Sequence, residues 1–122
     1  MMKSLAAALL LAVSVPVLGH GDFPPQRGGI STWAGETTLE FVFRDGKALV
    51  YIDDHGKPLP VKGAEGTLVL PTEDGTGRAV RMKVAGVNWF EAGPVKVKPG
   101  EKVKFFAKMA DGDVHVGEVA AP

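Results

Sequence analysis

The sequence predicts an all-β fold, an immunoglobulin-like sandwich of about seven short strands that follows a signal peptide. Three observations carry this. Apolar residues recur at every second position in several short runs. Asp-Gly and other Gly/Pro-containing clusters separate those runs at the spacing of a sandwich. No stretch shows a sustained 3.6-residue apolar period with caps.

The chain has 122 residues, enough for one domain. Residues 1–19 have the pattern of an export signal. Met1-Met2-Lys3 supplies a positive start, Leu5 to Leu18 an apolar run broken by Ser14 and Pro16, and Val17-Leu18-Gly19 a cleavage region. The run is shorter than the roughly 20 apolar residues that span a bilayer. With no cysteine, the chain has no site for a lipoprotein anchor, a disulfide or a thiolate metal ligand. The expected location is periplasmic or secreted. Cleavage after Gly19 removes Lys3, so the formal charge goes from zero to minus one. That balance points away from nucleic acid and from an anionic membrane as the main partner.

Residues 20–36 read as a Gly/Pro-rich arm, and 37–122 as the sandwich. His20-Gly21-Asp22-Phe23-Pro24-Pro25-Gln26-Arg27-Gly28-Gly29 holds too much Gly and Pro for a helix or strand. From Thr37 the pattern alternates, with Leu39, Phe41 and Phe43 on one face and Glu40 and Arg44 on the other. Asp45-Gly46 predicts a two-residue hairpin. Leu49 to Asp53 returns as a strand apolar on both faces, hence central. Asp54-His55-Gly56-Lys57-Pro58 is a turn cluster. Gly66 to Leu70 is a strand, and Glu73 to Gly77 a turn. Val80, Met82 and Val84 alternate with Arg81 and Lys83, and Asn88 to Glu91 is a short strand. Val95 and Val97 alternate with Lys96 and Lys98 up to the turn at Pro99-Gly100-Glu101. Lys102 to Met109 puts Val103, Phe105, Ala107 and Met109 on one face. Asp111-Gly112 turns the chain into a last strand, Asp113 to Val119.

Catalytic motifs are missing from the sequence. Ser31, the one serine after the signal, has no Gly-x-Ser-x-Gly around it. There is no phosphate loop, dinucleotide fingerprint or His-Glu-x-x-His. Asp45, Asp74 and Asp111 are accounted for as turn residues. The expectation is a protein that is not an enzyme.

The histidines carry the remaining information. After cleavage at Gly19, His20 has a free amine and an imidazole that chelate one ion together. A second histidine completes a nitrogen site suited to copper(II). The amine binds only when deprotonated, so such a site is pH-dependent. His115 is the partner of choice: Asp113 and His115 share a strand face, opposite Val114 and Val116. His20, Asp113 and His115 are therefore the candidate metal ligands, with copper the expected ion. His55 reads as a turn histidine. Met82 and Met109 fall on apolar faces and read as core, and Trp33 and Trp89 as plugs of the core or its rim.

His20 together with Asp113-Val114-His115 resembles the two ends of the small periplasmic copper-resistance proteins of the C type. That resemblance implies a β-sandwich in which the N-terminal histidine and the Asp-x-His pair hold copper(II). The middle, Ala48 to Pro58 and more loosely Gly63 to Leu68, is similar to small exported proteobacterial sandwich proteins and to a domain of heavy-metal efflux adaptors. This likeness implies a role in metal tolerance, with an envelope or efflux-system protein as partner. Where such arms often carry a second histidine, this chain has Gln26-Arg27. The alternative function is a non-catalytic structural or interaction module of the envelope, with Lys96, Lys98, Lys102, Lys104 and Lys108 as a basic patch or a solvated face.

Overall fold

The computed structural model describes residues 24–122. The expected signal peptide (1–19) and His20 lie outside them. The described residues form nine strands: β1 (Ile30–Ala34), β2 (Thr37–Arg44), β3 (Lys47–Asp54), β4 (Lys57–Pro58), β5 (Glu65–Leu70), β6 (Arg78–Val84), β7 (Trp89–Ala92), β8 (Lys102–Lys108) and β9 (Val114–Ala120). All pairing is antiparallel, in the order β1-β2-β3-β7-β6-β5-β8-β9, with β4 beside β3. β6 pairs with β5 along most of its length and with β7 only at Lys83 and Val84. It thus joins two layers, β1-β2-β3-β7 and β6-β5-β8-β9, into one sheet that nearly closes on itself.

The expected all-β sandwich is therefore present, with nine strands in place of about seven. Two differences have simple causes. Residues 30–34, expected to belong to the arm, form β1, because Ile30 to Ala34 align opposite Phe41 to Thr37 and complete the ladder of β2. Residues 95–98, which alternate in sequence, make no strand. Val95 is nonetheless buried, and its N–H donates to the Gly46 carbonyl at 2.8 Å.

Alternation fills the core as expected. Leu39 and Phe41 of β2, Val50 and Ile52 of β3 and Phe90 of β7 face Leu68 of β5 and Val103, Phe105 and Ala107 of β8. Phe105 meets Phe41 edge-on at 6.2 Å and Phe90 at 5.5 Å, so one ring bridges both strands of the opposite layer. Phe90 needs Gly66 across from it, since a Cβ there would lie 2.7 Å from its ring. Met82 and Met109 are buried in this core. Trp89 is not: β7 gives Phe90 and Ala92 to the core, and Trp89 lies half-buried against Tyr51, 5.1 Å away on the outer face.

The sheet closes where β9 runs beside β1 and β2. Gly117 sits at that seam, and a Cβ there would lie 2.7 Å from Leu39 Cδ1 and 2.9 Å from Thr32 Cγ2. Leu39 is fully buried and has no room to give way.

Glu40 departs from its expected place on a polar face. It is only 3% exposed, because the arm lies over it. The backbone N–H groups of Gln26, Arg27 and Gly29 donate to its carboxylate at 3.1, 2.8 and 2.9 Å. The Arg27 guanidinium bonds both Glu40 (2.8 Å) and Asp53 (2.9 and 3.1 Å), and sits 4.2 Å from the centre of the Tyr51 ring. Asn88 donates to Asp53 and to the Ile52 carbonyl, tying the loop before β7 to the same cluster. Burial by itself raises the Glu40 pKa. The three N–H donors and Arg27 outweigh it and hold the carboxyl below its ordinary 4.5.

Two outcomes follow. Gly117→Ala lowers stability by about 1–3 kcal/mol in urea unfolding, the usual range for overpacking a tight core. Glu40→Gln lowers it by about 3 kcal/mol at pH 7, since Arg27 loses a buried charged partner and the three backbone N–H groups lose their carboxylate. A folded pKa below the unfolded one contributes stability that is complete above 4.5 and is lost as pH falls through the lower folded value. The acid limb of wild-type stability below pH 4.5 is accordingly shallower in Glu40→Gln.

Candidate functional site

Three turns meet at one end of the sandwich. The β1–β2 turn brings Glu36, the β3–β4 turn Asp54 and His55, and the β8–β9 turn Asp111 and Asp113. Antiparallel strands of matched length put these turns together, and Thr37 of β2 lies opposite Asp54 of β3. A cleft of about 310 Å³ lies among them, lined by Thr37, Asp54, Lys62, Asp111, Asp113 and His115, with Met109 and Leu59 on its apolar side.

The Asp111-Gly112 turn is a three-residue loop with glycine in the left-handed conformation (φ +97°). The Gly112 N–H donates to the Met109 carbonyl at 2.9 Å, the Met109 N–H to Asp113 at 2.7 Å, and the Asp113 N–H to the Asp111 carboxylate at 2.9 Å. This fixes the backbone of Asp113 while its side chain stays exposed.

His115 is placed by β8. It pairs with Ala107, and Gly117 pairs with Phe105. Ala107 and Phe105 point into the core, so His115 and Gly117 turn inward with them. Val114 and Val116 face solvent, 60% and 41% exposed. His115, on β9, thus turns toward the interior, while Asp113, just before β9, stays exposed; both line the cleft, and the valines take the solvent side.

The half-buried His115 ring has its Nδ1 3.2 Å from Thr37 Oγ1. The same hydroxyl donates its one hydrogen to the Ala34 carbonyl at 2.9 Å. Thr37 must therefore accept in its contact with His115, and the Nδ1 of His115 carries the proton. In the neutral ring this leaves the lone pair on Nε2. Among the described residues no hydrogen bond reaches Nε2, and a histidine held through Nδ1–H with Nε2 available has the arrangement of a metal-ligating imidazole.

His55 lies at the same end, in a left-handed turn conformation (φ +52°). Its Nδ1 is 2.6 Å from Asp54 Oδ1, and its Nε2 is 3.7 Å from Glu36 Oε1. The sequence reading of a turn histidine describes this position well.

Among the described residues, no three His, Asp or Glu side chains converge closely enough to hold a metal ion. The structure does bring Asp113 and His115 to one cleft, as a partial donor set of one carboxylate and one imidazole. Of the expected ligands, His20 lies outside the described residues. Thr37 escaped the sequence reading because its contact with His115 spans 78 positions. Arg27 and Glu40 escaped it because their pairing depends on how the arm crosses β2.

Among the described residues, no helix is long and apolar enough to cross a membrane. Compared with family models, with curated proteins and with solved structures, the chain matches none.

The tautomer of His115 is open to direct measurement. Nitrogen-15 spectra of the metal-free protein with the imidazole neutral should show His115 protonated at Nδ1. Thr37→Val removes the acceptor and should give a mixture of both tautomers, with a stability loss of about 1 kcal/mol from the bond to Ala34.

Proposed function

We propose that this is a periplasmic or secreted metal-handling protein that takes copper(II) through His20, Asp113 and His115. The observation that carries the reading is the paired bonding of Thr37, which leaves Nε2 of His115 as the lone-pair nitrogen beside a cleft rimmed by carboxylates. The donor set fits copper(II) in kind, since imidazole and carboxylate suit that ion and no thiolate is present. It is incomplete without a further nitrogen ligand.

His20 is within reach. The arm is held to Glu40 from Gln26 onward. From Glu40 to Thr37 is about 10 Å along β2. The residues from His20 to Gln26 can span at most about 20 Å. The chain before Gln26 is therefore long enough to bring the amine and imidazole of His20 to the rim at His115. Copper would supply the affinity of the site. The protein's part is to orient one imidazole, hold one carboxylate nearby and tether the arm.

Exported protein should have the intact mass of a chain beginning at His20. Competition titration of that protein should show tight copper(II) binding. His115→Ala, or one extra residue before His20, should each weaken it at least about 100-fold, and Thr37→Val about 10-fold. Equal affinity of all these forms would refute the reading.

A further inference from the structure

The two layers diverge at β6. From Arg78 to Met82 this strand pairs with β5, and it meets β7 only at Lys83 and Val84. β7 stays with β3 up to Ala92, and beyond it the Val95 N–H still donates to the Gly46 carbonyl. A wedge of about 390 Å³ opens between the two lines of chain. Val80, Met82 and Ala92 form its inner, apolar side, and Lys47, Arg81, Lys83 and Glu91 its outer side. Main-chain groups along a strand point alternately to its two neighbours. The Ala85 N–H donates to the Trp89 carbonyl at 3.0 Å, so Ala85, Lys83, Arg81 and Ala79 all direct N–H and C=O away from β5. β7 takes those of Lys83. Those of Ala79 and Arg81 face the wedge, where no strand or loop among the described residues bonds them.

We infer that the wedge docks an extended segment of a partner protein, added to β6 as a further antiparallel strand, with an acidic residue opposite Arg81 and an apolar residue next to it, opposite Val80. The open donors and acceptors recur along one edge at about 6.8 Å, the repeat of an extended backbone, which selects a peptide over a lipid or a nucleic acid. Antiparallel addition lets one residue bond both groups of Arg81. Side chains of the added strand alternate between faces. The residue opposite Arg81 lies on the outer face, and its neighbour opposite Val80 points to the apolar side, so the acidic and apolar side chains go to different faces. Charge fixes the acidic position. Lys83 stands opposite Glu91 of β7 with Glu65 next in register on β5, and Glu91 is itself held by Lys47 at 3.2 Å. Arg81 lies opposite Thr67, with Glu65 only diagonal to it, and forms no ion pair among the described residues. A carboxylate across from it completes that pair. A second copy of this chain fits less well. Two β6 edges joined through Ala79 and Arg81 of both place the two Arg81 side chains diagonal to each other on one face, where like charges repel. The wedge is at the Lys47 end of β3 and the His115 cleft at its Asp54 end, so the inference stands without the copper reading.

The test uses the full exported chain and a capped synthetic peptide, Glu-Val-Thr-Val-Thr-Val. It should perturb the amide resonances of Ala79 and Arg81 and leave those of β9 in place. Lys in place of its Glu should weaken binding at least about tenfold. N-methylation of the first Thr, whose N–H would bond Ala79, should cost about as much, and N-methylation of the first Val, whose N–H points away from β6, much less. In the protein, Arg81→Glu should reverse the preference toward the Lys peptide. Ala79→Pro removes an edge N–H that no strand uses, a place where sheets tolerate proline, and should weaken binding at least about tenfold. Both variants should keep the circular dichroism spectrum, and Arg81→Glu decides the matter if Ala79→Pro unfolds the chain. The inference fails if the Lys peptide binds equally, if both N-methylated peptides bind like the parent, if the perturbed amides lie outside β6 and β7, if no peptide binds at millimolar concentration, or if the chain sediments as a dimer joined at β6.

Discussion

The Glu40 carboxylate is the constraint on which the asymmetry of this molecule rests. A glutamate on the outer face of a sheet is ordinarily wet. Here it is buried under the arm and accepts three backbone N–H groups and a guanidinium. Burying a charge is costly unless its partners are in place, so the arm, Glu40, Arg27 and Asp53 form one unit. The unit ties the N-terminal segment to β2, β3 and the loop before β7. Beneath it, β2 is buried on both faces from Thr37 to Val42. The other layer has no such cover, and its outer face leaves Phe106, Val114 and Val116 exposed.

A second constraint is the register of β9 on β8. A slip of one residue would exchange the two faces of β9. Val114 and Val116 would then enter the core, and His115 would face solvent. That does not happen, because Phe105 must reach Phe41 and Phe90 across the core. Its β9 partner must then be small enough to let the sheet close on Leu39 and Thr32, and Gly117 meets that need. Two residues earlier on the same face, the same register delivers His115 to Thr37. The closure of the sheet and the orientation of the histidine are thus one packing solution, and the imidazole inherits its position from the core.

Much of the fold was legible because it is local. The alternation in Thr37 to Phe43 and in Lys102 to Met109, and the turns at Asp45-Gly46 and Asp111-Gly112, follow from side-chain period and turn chemistry within a few residues. The same local logic failed at Glu40, where alternation gave the right face and the wrong environment. It failed at residues 30–34, whose strand exists only because β2 offers it an edge. It also placed Trp89 in or around the core, whereas Phe90 takes the inward position.

For the candidate site, the sequence by itself determined which residue types can bind: one histidine in the last strand, an aspartate two positions before it, and a histidine at the expected mature N-terminus. Residue chemistry and spacing are properties of the chain as written. Only the tertiary structure decided that His115 turns inward, that Thr37 accepts the Nδ1 proton of His115, and that the arm is moored at Glu40. Each of these depends on contacts between residues that are distant in the chain and meet only when the sheet rolls up.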